Sequence, residues 1–297
     1  MTIRVRTLAI AVLVLLVLGG AAAGLLVYSG FYNIAASEQH TAPVYRLLDY
    51  AMRRSIEVRA GDGAVPDLRD AERVRRGAAH YREHCVQCHG APGVAPDALA
   101  MGMLPAPANL VSTARSWTPQ EMFWVVKHGV KMSGMPAWRY RMSDEEIWDT
   151  IAFVAASVAM TPRDYAAIVQ IAPTPGRERE PAAAARPTTA LATPAMALAV
   201  LRGDAAAGRR ASEHYLCSTC HVIPGIVGAD QHVGPPLSGI AGRPYIGGII
   251  PNTPQNMVRW LQNPQQFDPQ SAMPALGLSE RDARDIAAYL ATLDEVH

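Results

Sequence analysis

The pentapeptide Cys85-Val86-Gln87-Cys88-His89, matched in pattern by Cys217-Ser218-Thr219-Cys220-His221, constrains this chain more than any other feature. Two thiols three positions apart, with a histidine directly after the second, suit covalent attachment of a c-type haem: each cysteine adds to one vinyl group and the histidine coordinates the iron. The two motifs use all four cysteines. Zinc half-sites and redox-active dithiols also use CxxC pairs. Here the pairs lie about 130 residues apart, each carries the adjoining histidine, and each opens a similar downstream pattern, which favours haem over one shared zinc site.

A chain of 297 residues has room for two domains of about 100 residues each, plus extras. The net charge of +1 gives no bulk attraction to nucleic acid or acidic lipid. No phosphate cradle of the GxxxxGK[ST] or strand-linked GxGxxG type is found, so neither nucleic acid nor nucleotide is an expected partner. With no cysteine left for a disulfide, the compartment has to be read from the N-terminus. Thr7 to Tyr28 runs without a charge and, at about 1.5 Å per residue, crosses a hydrocarbon core of about 30 Å. Arg4 and Arg6 precede it and only Arg46 follows in the near flank, so the N-terminus is expected in the cytoplasm and the remainder outside. Ala21-Ala22-Ala23 offers the competing reading of a cleaved signal peptide, but the apolar run continues past it to Tyr28.

Five segments follow from the pattern: an anchor over 1–33, an amphipathic helix and connector over 34–66, a first haem domain over 67–165, a Pro/Ala-rich linker over 166–196 and a second haem domain over 197–297. Pro43 to Arg59 places Val44, Leu47, Leu48, Ala51 and Met52 on one helical face, expected to pack on the first haem domain or to space it from the bilayer. Asp70 to His84 reads as a helix into the first motif, with Gly77 allowing a close helix approach and Tyr81 covering it. Thr118-Pro119-Gln120-Glu121, Ser143-Asp144-Glu145-Glu146 and Ser279-Glu280-Arg281-Asp282 read as helix starts. Each half repeats helix, CxxCH, loop, helix, Met-Pro, helix, with Gly208 and Tyr215 on the leading helix of the second.

A haem iron with one protein ligand stays open to small molecules, whereas a second ligand suits it to electron transfer. Met135 and Met273 follow their histidines by 46 and 52 residues, and both sit in a Met-Pro-Ala context. Proline keeps the residue before it extended, which suits a loop presenting a thioether. Met132 and His128 are reserve candidates in the first half. Met101, Met103, Met122, Met142 and Met257 read as core fillers.

On these motifs each half resembles a class I cytochrome c domain, over roughly Asp67 to Met160 and Ala197 to Leu293. The resemblance implies an all-α chain: one N-terminal transmembrane helix, then two cytochrome c-like helical domains carrying two covalently attached haem c groups. It implies that Cys85, Cys88, His89 and Met135 hold the first haem, and Cys217, Cys220, His221 and Met273 the second. In Gly234-Pro235-Pro236-Leu237 the carbonyl of Pro235 would accept the His221 Nδ1 proton, and Arg243, Tyr245 and Trp260 stand where such domains meet haem propionates. The first half has Leu104-Pro105-Ala106-Pro107-Ala108-Asn109 instead, so Pro105 or Pro107 would take that role.

The expectation is a single-pass protein of a bacterial inner membrane with its haem domains in the periplasm. It would pass single electrons from a quinol-oxidising complex or dehydrogenase to a terminal oxidase or reductase, with the proline-rich tether letting one domain swing between membrane-bound partners. The alternative is a dihaem enzyme of the peroxidase type, which needs one iron able to open its sixth position.

Overall fold

A computed structural model describes residues 2–169 and 203–294. The linker read over 166–196 lies outside the described residues from 170 onward. The chain divides into two compact units, Met1–Gln39 and His40–His297.

The first unit is dominated by α1, Thr2–Tyr28, whose segment Arg4–Tyr28 is long and apolar enough to cross a membrane. Its leucines and valines are exposed, which for a helix this apolar suits a lipid surrounding and not water.

The second unit begins with α2, Ala42–Ala60, which has proline in its first turn. The sequence periodicity gave its packed face as Val44, Leu47, Leu48, Ala51 and Met52, and the structure corrects this. Leu47 and Leu48 are 66% and 51% exposed, while Ile56 is 2% exposed and Tyr45, Asp49 and Met52 are half-buried on its stripe. The rotation has a tertiary cause. The Arg53 guanidinium lies 5.5 Å over the Trp117 ring, and Tyr45 lies against Gly228, where an added Cβ would come within 2.6 Å of the tyrosine ring. Partners on both haem halves select the face, and local apolarity is overruled.

In the first half, α3 (Ala71–His84) is capped by the Asp70 carboxylate and crosses α7 (Asp144–Ser157). Gly77 makes the crossing close, since a Cβ there would stand 1.8 Å from the Asp149 carbonyl oxygen. Tyr81 covers the contact with its ring 4.9 Å from that of Phe153. The buried Asp149 carboxylate takes Arg73 at 2.9 Å and Arg76 at 2.7 Å, locking the two helices. Removing it would leave cations facing an emptied pocket, at a cost of about 3 kcal/mol. Two short helices not anticipated, α5 (Leu110–Ser116) and α8 (Pro162–Ile168), flank the core, and α6 (Pro119–His128) starts on the expected Thr118 cap, which closes a reciprocal capping box with Glu121. Ile147, Ile151, Phe153 and Tyr165 fill the centre, with Met122 and Met142 as fillers.

The second half repeats the plan. Its leading helix α9 (Ala205–His214) crosses α11 (Glu280–Leu290), and a Cβ on Gly208 would also stand 1.8 Å from an aspartate carbonyl, that of Asp285. Between them lie a short β-hairpin, β1 (Tyr245–Ile246) with β2 (Ile250–Pro251), and α10 (Pro254–Gln262). Tyr215 falls just beyond α9 and donates to the Asp282 carboxylate at 2.8 Å. Gly208 precedes Cys217 by nine residues where Gly77 precedes Cys85 by eight, and the extra residue is taken up at Leu216 in the left-handed region, φ 59°. A branched side chain there costs about 1 kcal/mol or more.

The two halves are in contact. The Gly102 N–H donates to the His214 carbonyl at 3.2 Å, the Arg115 guanidinium to the His232 carbonyl at 3.0 Å, and the Ser112 hydroxyl meets the Gln231 side chain.

Candidate haem sites

The first motif lies at the end of α3 and forms α4, Val86–His89, a single turn in which the Cys88 and His89 N–H groups bond to the Cys85 carbonyl, while the flanking Cys85 and Gly90 N–H groups bond to Tyr81 and Val86. One turn of helix places Cys85, Cys88 and His89 on neighbouring directions. Tyr81 holds the following turn by donating its hydroxyl to the Gly90 carbonyl at 2.6 Å. In the second half Cys217–Thr219 forms a 3-10 turn, with His221 N–H bonded to the Cys217 carbonyl at 3.0 Å, so the same three side chains are grouped by a tighter backbone.

Both imidazoles are oriented by a carbonyl. His221 Nδ1 lies 2.7 Å from the Pro235 oxygen, at the residue the resemblance named. His89 Nδ1 lies 2.7 Å from the oxygen of Ala108, and not from Pro105 or Pro107 as expected. The reason is the chain path: Asn109 caps α5, so the residue before it is the one whose carbonyl faces back to α4. With Nδ1 carrying the proton to a carbonyl, Nε2 keeps its lone pair for a metal. Burial pushes both histidines below their ordinary value, which keeps the coordinating neutral form.

The surroundings fit a haem. A Cβ on Gly234 would come within 2.3 Å of His221 Cε1, so the backbone is cut back where the ring sits. The proximal loop is laced to the motif by Val233 and Gly234 N–H bonds to the Cys220 carbonyl at 3.0 and 2.9 Å. Burial pushes the Cys85 and Cys217 thiols up to about 12. Among the described residues no group of three or more His, Cys, Asp or Glu converges as a metal cage, so the two CxxC pairs do not close one zinc site.

Met135 is half-buried and packs against the first core together with Cys85, whereas Met132 is 97% exposed and His128 is also exposed. The methionine loop is fixed from both ends. Met135 N–H donates to the Ser133 hydroxyl at 3.1 Å, its carbonyl accepts from Val130, and Gly129 at φ 67° leaves room for it. Met273 is half-buried against the second core together with Cys217, and its carbonyl accepts from the Gln265 side chain. Arg243 gives Nη2 to the Pro236 and Ser238 carbonyls, bracing the loop that carries Pro235. Trp260 is a core residue stacked on Phe267, and Tyr245 is exposed. Ala108, Asn109 and Gly234 were missed by sequence reasoning. Asn109 had a readable signal, an Asn directly before an apolar run.

Residues 72–154 match the family described as cytochrome c oxidase, cbb3-type, subunit III, and residues 205–294 match the family described as cytochrome c. The chain carries two cytochrome c-type domains. Such domains bind haem c, in keeping with the carbonyl-oriented histidine and paired thiols in each. A stretch of 87 residues is 32% identical to cytochrome c oxidase subunit 2 of Alkalihalophilus pseudofirmus, covering 29% of this chain and 25% of that protein. The match thus spans a quarter of the relative's length. No solved structure matches the chain.

Proposed function

We propose that the protein is a membrane-anchored dihaem cytochrome c that passes single electrons between respiratory partners on the outer face of a bacterial inner membrane. The observation that carries this reading is the twofold occurrence of a partly buried imidazole tied at 2.7 Å to a backbone carbonyl, next to two thiols. Bound haem c supplies one-electron iron chemistry. The chain's own part would be to hold each haem through Cys85 and Cys88 or Cys217 and Cys220, with His89 and Met135 or His221 and Met273 as the residues that would ligate its iron.

Thioether ligation on a largely apolar crevice raises a reduction potential. The likeness to oxidase-associated proteins supports a place next to a terminal oxidase or reductase, with a quinol-oxidising complex or dehydrogenase as donor. The span α1 supports tethering to the membrane that holds both.

Redox titration of the purified chain with Met135→Ala and Met273→Ala variants tests the assignment. Two high-potential centres are expected, each variant lowering one and leaving the other in place. If neither variant moves a midpoint the ligand assignment fails, and an iron that turns over peroxide at rest would make the protein a catalyst of the peroxidase type.

A further inference from the structure

Asn109 lies between the two haem sites and uses its two amide atoms in different directions. Oδ1 accepts the Val111 N–H at 3.0 Å, which caps α5. With the oxygen committed, the nitrogen is the atom left over, and Nδ2 stands 3.2 Å from Sγ of Cys220. Exchanging the two atoms would set an NH2 against the Val111 N–H, so the hydrogen-bond pattern fixes the orientation. The residue before it, Ala108, gives its carbonyl to His89. One dipeptide therefore touches the proximal imidazole of the first site and the attachment sulfur of the second. Ser112 and Arg115, on the helix that Asn109 caps, make the neighbouring contacts to Gln231 and His232.

We propose that Asn109 is a positioning residue that couples the two haem sites, tying the proximal loop of the first to the attachment sulfur of the second so that electrons pass between them within one chain. This rests on the two-haem reading above. The link from the His89 ring to Cys220 Sγ consists of covalent bonds and two hydrogen bonds, Nδ1–H to the Ala108 oxygen and Nδ2–H to sulfur. Each transfer is one electron leaving one centre and arriving at the other, with no bond broken and no proton moved. A thioether sulfur remains an acceptor, and an N–H dipole aimed at it favours the electron-rich, reduced state of the second site.

The competing role is that Asn109 merely caps α5. Asn109→Ser and Asn109→Asp separate the two, because both residues cap well. Serine is too short to reach sulfur, and aspartate offers it an oxygen where the N–H was. The full chain in detergent is first assayed for haem per polypeptide, then for the two midpoint potentials and for the rate of electron equilibration between the haems after photoreduction. Both variants are expected to lower the potential of the second haem, Asp more than Ser, to leave the first nearly in place and to slow equilibration several-fold. Two haems with wild-type potentials and rates in both variants would overturn the proposal alone. Fewer than two haems in the wild type would overturn the dihaem reading, and the proposal with it.

Discussion

Glu146 reaches back from the first turn of α7 to the backbone N–H of Ser143 at 2.7 Å and to its hydroxyl at 2.8 Å. These bonds, the backbone one first, hold its carboxyl below the ordinary value of 4.5. A depressed carboxyl contributes stability that is fully present above the unfolded value and is lost as pH falls through the folded one. Glutamine keeps the geometry but not the charge, and charge-assisted bonds are the stronger. Glu146→Gln should therefore melt about 1–2 °C below wild type at neutral pH, the difference closing as the pH falls from the ordinary carboxylate value of 4.5 through the lower folded one. Thermal melts across that range check it, and a gap that widens in acid would contradict the capping account. At this scale the sequence was informative where a residue acts on its near neighbours. The Thr118 and Ser143 caps follow from local pattern and the Pro235 carbonyl from the family resemblance, whereas the Ala108 carbonyl depends on where α5 starts and how the loop returns to His89.

Among elements, the paired crossings α3 with α7 and α9 with α11 set the frame on which both motifs hang. On a free helix surface Gly→Ala is stabilising by about 1 kcal/mol. At Gly77 and Gly208 the sign reverses, because the new methyl would fall 1.8 Å from a backbone oxygen that cannot give way without parting the helices. Gly77→Ala and Gly208→Ala should each cost roughly 1–3 kcal/mol of stability in chemical denaturation, each loosening its own haem site. A stabilised variant would show that the crossing is wider than described. The glycine's role was legible because a helix has few reasons to hold one in its middle. The face of α2 was not, since Leu47 and Leu48 satisfy the helical period while Tyr45 and Ile56 satisfy the partners. The turn at Leu216 was legible only as an anomaly, Tyr215 standing two residues before Cys217 where Tyr81 stands four before Cys85.

For the molecule as a whole, the contacts between the halves had no sequence signature. They join residues more than a hundred positions apart through backbone carbonyls and single amides, as in Asn109 to Cys220 and Arg115 to His232. The division at Gln39 gives the clearest consequence at this scale. Everything that builds a core, from Ile56 to Leu293, belongs to the unit His40–His297, while Arg4–Tyr28 is the segment apolar enough for a bilayer. A chain lacking residues 1–39 should keep its hydrophobic cores, because none of their residues is removed. Expressed behind an export signal, it should be recovered in the soluble fraction with two covalent haems and unchanged midpoint potentials. Fractionation with in-gel haem staining and redox titration measure both halves of that statement. Loss of haem would mean that the N-terminal segment supports the sites, and persistent membrane association would transfer the anchoring role to another surface, with the exposed Leu47 and Leu48 of α2 the first to substitute by glutamine.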